Sequence, residues 1–252
     1  MSNGRVAVGF LHPGHVSAVF HVSLLDLMFC DAVGAQRIMS HKHGNLAKQC
    51  GAAGIVDGRN KIAGIVCNES DVEWLLMVDS DMAFAPDTVE RLIAAADPVE
   101  RPIVGALCFA HKTQGKASLG GTRYVAQPTV YDFLELEDRV GFVPRWDYPR
   151  DELTAVAGTG AACLLIHRTV LERIQERDGP HWFTPVTHPK GPTTFSEDLS
   201  FCVRAAAVDA PVHVHTGIKT GHDKGGVFLD EAHYDRQQRL AEWEKPDEDE
   251  AA

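Results

Sequence analysis

Two carboxylates one residue apart, Asp79 and Asp81, follow directly on the apolar run EWLLMV at residues 73–78. The end of a buried strand is where open α/β sheets bind ligands, and residues i and i+2 of a strand share a face. Like charges that close repel unless a cation or a proton relieves them. Hard carboxylate oxygens suit Mg2+ or Mn2+. The plainer alternatives are a solvated D-S-D turn and a cap for the following helix. A histidine-rich stretch, VHVHTGIKTGH, occupies residues 212–222. His213 and His215 alternate with valines and so share one strand face, while His222 stands between Gly221 and Asp223. Imidazole is a common metal ligand, so H-x-H with a third His is compatible with zinc. Plain strand surface explains His213 and His215 equally well.

A third group is Ser196-Glu197-Asp198. Ser196 suits a helix cap, and acids in a first turn are stabilised by the helix dipole. The chemical alternative is a carboxylate facing a cleft as a general base. Asp57-Gly58-Arg59-Asn60 opens another helix, where the fork of Arg59 fits a phosphate or a base edge, or simply the surface. His12 and His15, in the turn HPGH after the first apolar run, carry the same ambiguity.

The elements that must hold these groups alternate in type. Residues 5–11 (RVAVGFL) read as a buried strand and 16–29 as a helix. Residues 45–66 are Ala/Gly-rich, with an amphipathic stretch from Gly58; 73–78 is a buried strand, 87–96 a helix opened by Pro86, and 102–109 another strand. Such β-α-β repetition predicts an α/β fold, a mostly parallel sheet flanked by helices in one compact domain. Further on, 111–150 is turn-rich and aromatic, and 155–167 is an apolar run feeding a helix over 168–177. A loop over 178–195 precedes a helix from Ser196 to about Val208, a short strand at 212–216 and a glycine-rich loop at 217–226.

The 252 residues carry 24 Lys and Arg against 35 Asp and Glu, a net charge of −11. Residues 242–252 hold six acids and one Lys, so that tail accounts for −5 and leaves −6 on the body. Bulk charge therefore does not favour a polyphosphate partner. The six cysteines are scattered, without a C-x-x-C pair, as reduced buried thiols are. With no basic leader and no apolar stretch long enough to span a bilayer, the chain is expected in a reducing cytoplasm. There is no G-x-x-x-x-G-K-[ST] loop, no H-E-x-x-H and no G-x-S-x-G, and Gly158-Thr159-Gly160 is only superficially a dinucleotide fingerprint.

Taken in order, VAVGFLHPG, DGRNKIA, WLLMVDSDMAFAPDTVERL, VAGTGAACLLIHRTVLERI, FSEDLSFCVRA and VHVHTGIKTGHDKG resemble GT-A glycosyltransferases of the family 2 type, especially small stand-alone ones of bacteria and their phages. The match covers roughly residues 5–226 and departs from the family at 111–150 and 178–195, where acceptor-facing loops vary. The resemblance implies a Rossmann-like nucleotide-sugar-binding half at 1–110 and an acceptor-binding and catalytic half at 111–226. A C-terminal helix and an acidic, disordered tail would fill 227–252. It implies a sugar transferred from a nucleotide-diphosphate sugar, a UDP-sugar by default, to an acceptor hydroxyl with inversion, and with Mn2+ or Mg2+ as cofactor. By the same resemblance Asp81 would ligate the metal, Asp79 would contact ribose, sugar or the metal shell, and His222 would complete that shell. Arg59 and Asn60 would line the nucleotide-sugar pocket, Asp198 would act as base with Glu197 beside it, and Gly158 and Gly160 would let backbone approach the sugar.

Three other readings share some of these residues. A sugar nucleotidyltransferase also has an acidic metal site but needs a basic glycine-rich loop where HPGH stands. A His/Asp hydrolase would use Asp79 with His12, His15, His213 and His215. A non-catalytic nucleotide-sugar or carbohydrate-binding module would keep the fold and turn nothing over. The acceptor stays open among protein, hydroxylated nucleobase, glycan and small molecule. Arg139, Arg145, Trp146, Tyr148 and Arg150 could grip a nucleic acid or anchor a surface loop.

Overall fold

The computed structural model describes residues 4–50, 54–116, 122–136, 140–189 and 192–243. Arg139 and residues 244–252 of the acidic tail lie outside the described residues. The first half runs β1 (Val6–His12), α1 (Ala18–Val33), β2 (Asn45–Gln49), α2 (Gly54–Asn68), β3 (Trp74–Val78), β4 (Met82–Ala83), α3 (Thr88–Ala95) and β5 (Ile103–Leu107). There follow β6 (Phe109–Lys116), β7 (Thr122–Pro128), β8 (Tyr131–Glu135), β9 (Val140–Pro144), β10 (Leu153–Val156) and β11 (Cys163–His167). The chain continues with α4 (Arg168–Asp178), α5 (Glu197–Ala206), β12 (Val212–Lys219), β13 (Gly221–Asp223), β14 (Phe228–Leu229) and α6 (Glu231–Trp243).

Seven strands form the central sheet in the order β10-β12-β5-β11-β3-β1-β2. Every residue of β3, β5 and β11 is buried, as expected of strands covered on both faces. Strand alternation divides their side chains between two cores. Leu75, Met77 and Leu164 pack with Ile62 of α2 and Phe201 of α5, while Leu76, Val78 and Leu165 pack with Phe20 of α1 and Leu92 of α3. The sheet is mostly parallel, as the alternation predicts: β1, β2, β3, β5 and β12 run one way. Strands β11 and β10 run the other way, β11 between β3 and β5 and β10 at the edge beside β12.

That reversal corrects the single apolar run expected over 155–167. Residues 155–156 end β10 and 163–167 are β11, joined by a segment that carries no helix. Without a crossover helix, β11 enters beside the end of β3, with Cys163 opposite Val78, and runs back against it. Strand β2 was hidden within the Ala/Gly-rich region because it is an edge strand in which only Leu46 is buried. Region 111–150 contains two antiparallel ladders, β6 with β7 and β8 with β9. Strand β12 runs on past residue 216 to Lys219, and β13 lies inside the expected glycine loop. Among the described residues no helix is long and apolar enough to cross a membrane. All six cysteines are free thiols.

Candidate active site

The acidic pair owes its geometry to a turn. Strand β3 stops at Val78, and Asp79–Met82 is closed by the Met82 N–H donating to the Asp79 carbonyl at 3.1 Å. The Asp79 N–H donates to the Ala162 carbonyl at 3.0 Å, which pins the turn to the entry of β11. Strand β4 then pairs with β13, placing Met82 opposite His222. The Asp223 N–H closes on the Asp81 carbonyl at 2.8 Å. Two short ladders thus carry His222 to the aspartates across most of the sequence. Ligand atoms of Asp79, Asp81 and His222 all lie within 4.8 Å of one another.

The orientation of the His222 ring follows from its partners. Its Nδ1 lies 2.9 Å from the Phe109 carbonyl, which can only accept, so Nδ1 carries a hydrogen and Nε2 is the nitrogen turned to Asp81. Nε2 is buried, 3.1 Å from Asp81 Oδ1, with no aligned hydrogen bond. A buried ring nitrogen beside a carboxylate oxygen holds either a proton or a metal cation between them, and metal-binding histidines regularly donate their other ring N–H to a backbone carbonyl. The side chains present therefore fit a divalent cation. Lys224 is the cationic neighbour already in place, its Nζ 2.9 Å from Asp81 Oδ2. Burial acts to raise the Asp81 pKa, but the contacts with His222 and Lys224 outweigh it and hold the group at about 2.

Arg59 joins the two acidic motifs. It is 4% exposed. One terminal nitrogen donates to Asp79 Oδ1 at 2.7 Å and the other to Glu197 Oε1 at 2.9 Å, and Phe183 stacks beneath at 5.8 Å. Burial opposes its charge, yet the carboxylates of Asp79, Glu197 and Asp198 together raise its pKa. Asn60, one residue on, accepts from the Phe183 N–H at 2.8 Å and donates to the Thr184 hydroxyl at 3.2 Å. It ties α2 to the loop that leads toward α5.

Ser196 sits at the N-cap of α5, but its hydroxyl donates to Asp198 Oδ1 and makes no cap bond to the helix, contrary to expectation. The same oxygen accepts the Leu199 N–H at 2.8 Å. Among the described residues no hydrogen bond ends on Asp198 Oδ2, which lies 3.5 Å from where a Cβ on Gly160 would be. At Gly158 a Cβ would stand 2.7 Å from the Phe142 ring and 3.1 Å from Leu199, so side chains of the fold fill that space.

A cleft of ≈ 520 Å³ opens beside the aspartates, lined among others by His12, His15, Ser17, Cys50, Asp81 and Lys224. His213 and His215 lie elsewhere, half-buried along β12; burial, with Arg101 near the first and Arg91 near the second, lowers both pKa values. Among the described residues the metal-capable side chains converge at Asp79, Asp81 and His222, without these two. The cations of the 139–150 segment that the structure describes are engaged within the fold. Arg145 pairs with Asp132, and Arg150 pairs with Glu231 and Asp235 while stacking 4.5 Å over Tyr148. Lys224 is the site residue that sequence reasoning passed over. Its only signal was a base two positions after His222 in a glycine-flanked stretch.

No protein-family signature matches the sequence, and no characterised protein matches it at the sequence level. In structure the chain is similar to A197 from STIV, at 14% identity and a TM-score of 0.52, over 91% of each chain. It is also similar to GalNAc-T7, determined with UDP, GalNAc and Mn2+, at 10% identity and a TM-score of 0.53. That match covers 86% of this chain and 43% of GalNAc-T7. At such identities the likeness establishes the fold, which is that of GT-A glycosyltransferases.

Proposed function

We propose that the chain is a divalent-metal-dependent glycosyltransferase, moving a sugar from a nucleotide-diphosphate sugar to an acceptor hydroxyl with inversion. The observation that carries this reading is the buried Nε2 of His222, 3.1 Å from Asp81 Oδ1 in the turn that ends the central strand β3. Asp81 and His222 would hold the ion directly, with Asp79 beside them. A bound Mn2+ or Mg2+ would offset the charge of the donor diphosphate and of the departing nucleotide.

The chain's own residues do the rest. Lys224 adds a positive charge at the cleft wall and, released from Asp81, can turn to a phosphate oxygen. Arg59 is a positioning residue: by holding Asp79 and Glu197 it sets the donor side and the base side at a constant separation. Asp198 is held through Oδ1, which leaves Oδ2 to take the acceptor proton. As the acceptor oxygen bonds to the anomeric carbon, the bond from that carbon to the diphosphate oxygen breaks, and the proton passes to Asp198. The in-line arrangement inverts the carbon.

Donor turnover tests this without knowledge of the acceptor. The protein is incubated with Mn2+ and a panel of nucleotide sugars, and free nucleoside diphosphate is followed by mass spectrometry. Slow release from one donor, abolished by EDTA, Asp81→Ala and His222→Ala, is the expected result. Metal-dependent donor binding with no release under any condition points to a binding module, and neither binding nor release overturns the nucleotide-sugar reading.

A further inference from the structure

A second cleft, between the segment that follows β9 and the outer face of α6, shares no lining residue with the one beside the aspartates. It measures ≈ 530 Å³, within the range of small-molecule sites, and Trp146, Asp147, Asp235, Gln238 and Arg239 help to line it. Asp235, Gln238 and Arg239 stand at i, i+3 and i+4 of α6 and so share one face. Trp74 and Trp182 are buried, whereas Trp146 is 38% exposed. That exposed ring is nonetheless held. The Tyr234 hydroxyl donates to the Trp146 carbonyl, and the Tyr234 ring lies 6.4 Å from the indole at an interplanar angle of 12°. Tyr234 is itself buried and stacks 5.3 Å from buried Phe109. The indole is thus an apolar plane set on a buried aromatic base.

The polar groups around this plane are unspent. Among the described residues the side chains of Asp147, Gln238 and Arg239 make no hydrogen bond. They offer a carboxylate that accepts, an amide that both donates and accepts, and a guanidinium that donates. The charges of the lining balance, Asp147 and Asp235 against Arg150 and Arg239, and Arg150 is already paired with Asp235 and Glu231. A phosphate chain would therefore meet two carboxylates, with Arg239 as its one unpaired cation among the described lining residues. A wholly apolar molecule would strip water from three polar side chains without replacing it. A neutral molecule with one apolar face and a rim of hydroxyls meets neither cost.

We propose that this cleft is a carbohydrate-binding subsite. The C–H face of a neutral pyranose lies on the Trp146 indole, and its hydroxyls accept from Arg239 and Gln238 and donate to Asp147. The subsite is independent of the nucleotide-sugar reading and stands whether or not a donor is turned over.

Titration calorimetry of the full chain tests it, with maltohexaose, cellohexaose and N-acetylchitohexaose as saccharide probes and decathymidylate as the nucleic-acid comparison. At least one hexasaccharide is expected to bind with a Kd of about 0.1 mM, unchanged by EDTA, and decathymidylate is not. Trp146→Ala should weaken that binding about tenfold, while Trp146→Phe, which keeps an aromatic plane, should stay within about threefold. Gln238→Ala, an exchange on the helix surface, should weaken it about fivefold. Urea unfolding of each variant confirms that it is folded. No heat with any of the three saccharides overturns the proposal, as does binding that Trp146→Ala and Gln238→Ala leave intact. Loss of saccharide binding in EDTA would assign it to the metal site and overturns the subsite. Binding of decathymidylate in place of the saccharides overturns it in favour of a single-stranded nucleic acid.

Discussion

The two oxygens of Asp81 face different neighbours. Oδ1 meets Nε2 of His222, and Oδ2 is neutralised by Lys224. Lys224 therefore competes with a metal for the same carboxylate while favouring an anionic donor in the cleft. Lys224→Met should tighten Mn2+ binding about threefold in the absence of nucleotide and weaken UDP binding about fivefold, effects of the size of one exposed ion pair. Titration calorimetry of each ligand separately reads both; a fall in both affinities would mean that Lys224 only supports the loop. The same contacts make the fold sensitive to acid. The Asp81 pKa is about 2 in the folded protein against 3.8 as its reference value. A depressed carboxylate contributes stability that is fully present above the unfolded value and lost as pH falls through the folded one. Allowing for a side chain one-third exposed, the contribution is about 1 kcal/mol. Urea unfolding between pH 5 and pH 2 should show that loss in the wild type and lack it in Asp81→Asn.

At the scale of elements, the site is an assembly of ends. The end of β3, the start of α5 and the first turns of α2 are far apart in sequence, and the Arg59 guanidinium joins all three. Removing it leaves two carboxylates without their shared cation in a partly closed site. Arg59→Met should cost about 2 kcal/mol, less than breaking a fully buried ion pair because Asp79 and Glu197 keep part of their solvent contact, with donor turnover lost alongside. Arg59→Lys should recover only part, because an ammonium cannot bridge two carboxylates as a planar fork does. Equal stability of Arg59→Met and wild type in urea would show that the bridge carries no energy. The ladder of β4 with β13 plays a comparable part for His222, setting a histidine beside a carboxylate through two backbone pairings.

At the scale of the whole molecule, the sheet is closed on both faces by helices, and one stripe of exposed apolar side chains lies on α1. The cleft opens beside the carboxyl end of β3, and its wall includes residues just before α1. The Ser17 N–H donates to the Ser80 carbonyl at 3.0 Å, so the start of α1 is bonded to the acidic turn itself. The start of α1 thus borders the site without supplying its chemistry.

Much of this was legible in the sequence, for reasons that are local. The run at Trp74–Val78 is apolar at every position because the strand is covered on both faces, and aspartates at once after it mark a strand end open to ligand. Pro86 and Asp87 announced α3, and the amphipathic stretch from Gly58 announced α2. Other features have no local signature. The edge strand β2 exists because β1 offers it a ladder, and its residues NLAKQ lack the pattern of a buried strand. The antiparallel insertion of β11 depends on a connection that omits a helix, and an all-apolar strand reads the same in either direction. The sequence by itself determined which residue types are available for chemistry and which strand end presents them. Tertiary structure alone decided that one arginine holds both acidic motifs, that Lys224 neutralises Asp81, and that Nε2 is the nitrogen of His222 left for a metal. Each of those rests on contacts between residues distant in the chain, whose pairing no spacing or composition encodes.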